Sequence, residues 1–148
     1  MTTRRPELVV ISGGKNLRQL APACLLYTGS YFRACRDAAR SLRATHGYRI
    51  LSALHGIVDP RTELDPYDLR MGQSGCVTGS TVRAQAETAG LLNLPNVIIR
   101  ASRAYVETAR TAWPDACAPL AAAPGLGHQL VLLSKIQMRG SAECTPSA

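Results

Sequence analysis

Three short apolar runs constrain this chain more than any other feature: Leu8-Val9-Val10-Ile11, Ile50-Leu51 and Val97-Ile98-Ile99. They are rich in β-branched residues, lack polar alternation and are too short for helices, so each reads as a strand buried on both faces. Strands of that kind belong in a parallel sheet with helices packed over it. The first run, expected over 7–12, passes into Ser12-Gly13-Gly14-Lys15-Asn16, and the second ends on Ser52 before a polar loop. In open α/β sheets ligands bind where strands end at their carboxyl edge, so these two exits are where chemistry is expected.

Helical spacing fills the intervals. Residues 30–45 predict a helix with Ser30 at its N-cap and Gly47 at its end. Phe32, Cys35, Ala38, Ala39 and Leu42 form one stripe of it, and Arg33, Arg36, Arg40 and Arg43 an adjacent one. Residues 48–52 predict the second strand. Residues 53–76, rich in Pro, Gly, Asp and Ser, predict a long loop, a length that usually carries function in a compact domain. Thr78 or Ser80 can cap a helix running through Val82, Ala86, Ala89 and Leu92, and Pro95-Asn96 breaks the chain before the strand at 97–99. Ser102 starts a helix that Pro114 stops. A fourth strand is expected near 116–120, a last helix over 126–138 and a disordered tail over 139–148. The alternation predicts an α/β fold: a single three-layer domain over 1–138, its small, mostly parallel sheet flanked by helices.

At 148 residues and 46% hydrophobic content the chain can bury one core. Its net charge of +7, from fifteen Arg and two Lys against ten acids, favours an anionic partner such as a nucleotide, nucleic acid or phosphate. The same Arg and Ala bias also follows from GC-rich coding. The five Cys include no C-x-x-C pair and the three His are far apart, so neither a metal site nor a disulfide framework is legible, and no cofactor is expected. The four-residue apolar run near the N-terminus is too short for a signal peptide or a membrane span, which implies a cytoplasmic protein with reduced thiols and no membrane partner.

The candidate site residues cluster in three segments. Ser12, Gly13, Gly14 and Lys15 supply unhindered amides, a hydroxyl and an ammonium, suited to a phosphate or carboxylate; a plain strand-to-helix turn is an equal reading, because the P-loop spacing is absent. Tyr27, Thr28 and Gly29 can hydrogen-bond or stack on a planar ligand, or simply cap the following helix. His55, beside Ser52 and Gly56, can act as acid, base or hydrogen-bond donor near neutral pH. Asp59, Glu63, Asp65 and Asp68 share its loop, although Asp59-Pro60 and Asp65-Pro66 are equally turn formers. The Arg stripe could follow a phosphate backbone or be a solvated face.

Taken in order, Ser12 to Lys15, Tyr27-Thr28-Gly29, Leu51-Ser52-Ala53-Leu54-His55-Gly56 and Pro66-Tyr67-Asp68-Leu69-Arg70-Met71-Gly72 resemble the motifs of the YaaA-like family of bacterial peroxide-stress proteins, and of its shorter actinobacterial and phage branch. The resemblance covers about residues 7–75. It implies a pocket shared by the three segments, including Met71, and associated with a nucleotide, nucleobase or nucleic-acid end. N-glycosidase-type hydrolysis or transfer is implied with it, His55 or Tyr67 serving as acid and Asp65 or Asp68 as carboxylate. The alternative it implies is a non-catalytic DNA-binding protein of the oxidative-stress response. The chain is much shorter than YaaA proper, and Gly13 stands where the shorter branch is expected to carry a Cys.

Overall fold

The computed structural model describes residues 6–14, 16 and 18–119. Strand β1 (Leu8–Ser12) lies at its centre, buried along its whole length. The chain continues through β2 (Ala21–Pro22), α1 (Ala23–Leu26), α2 (Ser30–Leu42), β3 (Tyr48–Ser52), β4 (Gly56–Val58), β5 (Glu63–Leu64), α3 (Gly79–Thr88), β6 (Val97–Arg100) and α4 (Arg103–Ala109). Four strands form one sheet in the order β4-β3-β1-β6, and β2 and β5 pair separately. β1 is parallel to both neighbours, with Ile11 opposite Ile50 on one side and Arg100 on the other. β4 returns antiparallel on β3. The fold is therefore the small α/β domain expected, with a mostly parallel sheet.

Alternation along the strands divides the core in two. Val9, Ile11, Ile50 and Ile98 pack with Phe32, Cys35, Ala38, Ala39 and Leu42, the apolar stripe of α2. Leu8, Val10, Leu51, Val97 and Ile99 pack on the other face with Val82 and Ala86 of α3, Val106 and Ala109 of α4, and Trp113. Each such aliphatic side chain contributes roughly 1.5–3 kcal/mol when fully buried. Trp113 satisfies its buried indole N–H by donating to Leu91 O at 2.9 Å.

Several expectations are corrected. Gly29, not Ser30, is the N-cap of α2, and no side chain caps it. The helix ends before Gly47, at Leu42, because Arg43 turns left-handed (φ 49°, ψ 49°) and donates its amide to Arg40 O. The segment 53–76 is not structureless: β4 and β5 lie within it, the former recruited by its edge pairing to β3. The fourth strand near 116–120 reduces to one parallel bridge, Ile98 to Cys117. Thr78 does cap α3, its side chain accepting from the Thr81 amide at 3.3 Å. Cys24, Cys35 and Cys76 are free, whereas Cys117 is disulfide-bonded, against the expectation that every thiol is reduced. The helix expected over 126–138 and the tail at 139–148 lie outside the described residues. Among the described residues no helix is long and apolar enough to cross a membrane.

Arg43 supplies a test of the helix terminus. A β-carbon in the left-handed region costs roughly 1–2 kcal/mol, part of which glycine's greater unfolded-state entropy offsets. Arg43→Gly is therefore expected to stabilise the fold by about 0.5–1 kcal/mol in urea denaturation; a destabilised variant would show that the Arg43 side chain outweighs its backbone strain.

Candidate functional site

The helix following β1 packs on one face of the sheet and the helix preceding β6 on the other. The chain thus leaves β1 and β6 in opposite senses, which opens a crevice between their carboxyl ends, the switch point where ligands bind in open α/β sheets. A cavity of about 970 Å³ occupies that crevice. Ser12, Gly13 and Gly14 from the exit of β1 form one side, and Ser102, Ala104 and Tyr105 from the exit of β6 another. The segment from Tyr67 to Met71 closes the wall, joined by Tyr31, and Arg18 and Arg70 bring the cations.

A hydroxyl cluster holds that wall in place. Ser52, at the end of β3, is fully buried; its Oγ accepts from the amides of Leu54 at 3.2 Å and His55 at 3.0 Å and donates to Tyr67 Oη at 2.8 Å. Tyr67 Oη is 2.6 Å from Tyr27 Oη. Asn16 fastens the same loop by donating to Tyr67 O at 2.7 Å. The ring of Tyr27 lies against Phe32, with centroids 5.0 Å apart, and edge-on to Tyr67. It also fills the space where a side chain at position 13 would begin: a Cβ on Gly13 would lie 2.7 Å from Tyr27 Cζ. The Cys expected there in the shorter YaaA-like branch does not fit unless Tyr27 moves.

His55 sits behind this cluster and is not on the cavity wall. Its ring meets Tyr67 edge-on at 5.6 Å, and its Nε2 is buried with no hydrogen-bond partner among the described residues. Its backbone is clamped as well: Gln85 donates to His55 O at 2.9 Å and accepts from the Ile57 amide at 2.8 Å. Gly56 between them has φ 78° and lies so close to the Gln85 amide that a side chain there is excluded.

The candidate residues therefore separate. Ser12, Gly13, Gly14, Tyr67, Asp68 and Met71 reach the cavity, and Tyr27, Ser52 and His55 support Tyr67 from behind. Thr28 accepts from Arg33 through its carbonyl at 2.7 Å and Gly29 caps α2, so both serve the helix start. Asp65 is exposed and away from the wall, and Asp59 caps its own turn by accepting from the Arg61 amide at 2.9 Å. Lys15 lies outside the described residues. Among the described residues no group of three His, Cys, Asp or Glu is arranged to hold a metal.

Sequence reasoning passed over Tyr31, Tyr105 and Arg100. Arg100 is wholly buried at the end of β6, near Tyr31 and Cys35. Burial brings its guanidinium down to about 10, which leaves it cationic at neutral pH. Burial likewise pushes the phenols of Tyr27, Tyr31 and Tyr105 upward, so all three remain neutral donors. The signal for Arg100 was a charged residue closing an otherwise apolar strand, Val97-Ile98-Ile99-Arg100. Tyr31 and Tyr105 had no signal beyond helical spacing.

Two tests follow from this geometry. Gly13→Ala must displace the Tyr27 ring and is expected to destabilise the protein by about 1–3 kcal/mol, measurable by thermal denaturation. An unchanged midpoint would mean that Tyr27 yields freely. Burial pushes the Cys35 thiol up to about 12. Its proton is therefore held more tightly in the folded state than in the unfolded chain, so its contribution to stability is intact below pH ~9 and is lost as pH rises toward the folded value. At pH 8 alkylation should modify Cys24 and Cys76 and spare Cys35; prompt labelling of Cys35 in the native protein would contradict this.

Residues 8–135 match the family model described as a family of unknown function, DUF6884, and the chain belongs to that family. No curated protein and no solved structure matches it.

Proposed function

We propose that the cleft between β1 and β6 binds a nucleotide, a nucleobase or the end of a nucleic-acid strand in the cytoplasm, and that its chemistry is hydrolysis of the N-glycosidase type. The observation that carries this reading is the composition of one wall system: three tyrosines (Tyr31, Tyr67, Tyr105), two arginines (Arg18, Arg70) and the side-chain-free turn Gly13-Gly14 around about 970 Å³. Aromatic faces suit a planar heterocycle, and the two arginines suit a phosphate, although the Gly13 amide is already spent on Leu51 O at 3.0 Å. The volume is that of a small-molecule site. The YaaA-like motifs supply the same expectation, since Tyr67 to Met71 of their most specific segment line the wall.

Hydrolysis of a nucleoside bond places positive charge on the sugar as the carbon–nitrogen bond breaks and leaves an electron pair on the base. Water bonds to the anomeric carbon, one of its protons is released, and the base takes up a proton. A carboxylate near the sugar stabilises that charge. Asp68 is the carboxylate on the cavity wall and is assigned that role. Asp65 is too far out to share it.

The surface alternative, duplex DNA lying along the arginines of α2, is the weaker reading. Arg33 and Arg36 each spend donors on the chain itself, on Thr28 O at 2.7 Å and Cys24 O at 3.0 Å. Those bonds brace the start of α2 and its neighbour α1.

Gly14 gives a clean test, because it is exposed, its backbone is not left-handed, and nothing lies within 4 Å of where its Cβ would be. Gly14→Phe is expected to fold normally and obstruct the cleft. In a thermal-shift screen of nucleobases, nucleosides, 5′-monophosphates and short oligonucleotides, a ligand at ~100 times its dissociation constant should add about 2.7 kcal/mol to the wild type and nothing to the variant. Stabilisation by DNA alone, equal in both proteins and lost with added salt, would transfer the function to the arginine surface.

A further inference from the structure

Among the described residues, the hydroxyl cluster behind the cleft has one proton more than its hydrogen bonds use. Ser52 Oγ has both lone pairs occupied by the amides of Leu54 and His55, so its own proton goes to Tyr67 Oη. Tyr67 and Tyr27 are linked by a single short contact, in which either oxygen can be the donor. Three hydroxyls bring three protons, and the two O–H···O contacts use two of them. If Tyr67 donates to Tyr27, the Tyr27 proton is left; if Tyr27 donates, the Tyr67 proton is left. The ring cannot close on Ser52, which has no lone pair to offer.

We infer that this spare hydroxyl proton of the Tyr27–Tyr67 pair is the site's hydrogen-bond donor, directed at a carbonyl oxygen or unprotonated ring nitrogen of the ligand. Two features direct it at the cleft. Tyr67 is itself part of the cavity wall. Gly13, also on the wall, has no side chain to screen Tyr27, whose hydroxyl is only 2.9 Å from the position of the missing Cβ. Buried donors without acceptors are costly, so a fold that keeps one has it ready for a partner. Burial keeps the phenol of Tyr27 protonated through the physiological range, which makes it a donor and not a base. His55 fits the same arrangement as a positioning residue: its amide fills a Ser52 lone pair, and its ring braces Tyr67.

The inference rests on the proposed function only in taking this cleft as the binding site, and it narrows the ligand to one that presents an acceptor. For a bound nucleobase, the same hydrogen bond would stabilise the electron pair left on the ring when the glycosidic bond breaks. No redox partner or metal is required.

Tyrosine labelled with ¹³C at Cζ reports the exchange of its hydroxyl proton through a deuterium isotope shift in mixed water. In the free protein one hydroxyl of the Tyr27–Tyr67 pair should exchange fast and the other slowly. Pyridine, which carries an acceptor nitrogen, should slow the fast one, and benzene, its isostere without an acceptor, should not. Slow exchange at both hydroxyls in the free protein, or an equal effect of pyridine and benzene, would overturn the inference. Because these measurements use the wild type, a variant that fails to fold does not obscure them. Tyr67→Phe should then weaken binding of any nucleobase found by the screen by roughly tenfold, the value of one such hydrogen bond. Undiminished binding by that variant defeats the inference while the proposed function stands. Protection by pyridine without binding of any nucleotide does the reverse.

Discussion

Tyr67 is the residue through which the pieces of this site are held together. Its hydroxyl meets Ser52 at the end of β3 and Tyr27 ahead of α2, and its carbonyl takes the Asn16 side chain from the turn after β1. Four segments distant in sequence are thereby fixed to one point. Without those bonds the stretch from 59 to 76 would be joined to the domain mainly by the two-residue pairing of β2 with β5 and by scattered apolar contacts, among them Leu64 and Met71. Buried hydroxyls impose this order because each must find a partner once removed from water. The wall of the cleft is thus placed by polar satisfaction together with the packing of Tyr67, Leu69 and Met71 on the two apolar clusters.

The cleft itself follows from the central strand. β1 has parallel neighbours on both edges and helices over both faces, so at its carboxyl end the chain diverges and leaves a gap. The residues at that gap are small on one side, Ser12, Gly13 and Gly14, and aromatic on the other. Gly13 is required by the close approach of Tyr27, whereas Gly14 faces open space. Arg100, buried at the end of β6, adds a fixed positive charge behind the wall. Together these features give the cleft small residues on one side, aromatic rings on the other and a buried cation behind.

Much of the fold was readable because its strands carry their own signature. Leu8–Ser12, Tyr48–Ser52 and Val97–Arg100 fall within a residue or two of the expected spans, since short apolar runs, β-branched in the first and last, have few other solutions. The start of α2 and its apolar stripe were also legible. β4 was not, because Gly56–Val58 is too short to show periodicity and becomes a strand only by pairing with β3. The end of α2 was misread for a related reason: Gly47 is the obvious breaker in sequence, but Arg43 is driven left-handed earlier, where the chain turns to bring His46 and Glu7 together. At the cavity, residues from the first and last motif segments lie on the wall, yet Asp65 and Asp68, three residues apart, part company, only the second reaching it.

Local chemistry therefore determined the class of fold, the identity of the central strands and the strand exits beside which the cavity lies. Those properties depend on side-chain type and spacing over a few residues, which the sequence states directly. Tertiary structure alone decided that His55 stands behind Tyr67, that Tyr27 takes the volume a side chain at position 13 would need, and that Ser52, Tyr67 and Tyr27 share three protons between two contacts. Each of these is a distance between residues 12 to 40 positions apart, and it is set by which hydroxyls and rings close packing brings within 3 to 6 Å of each other.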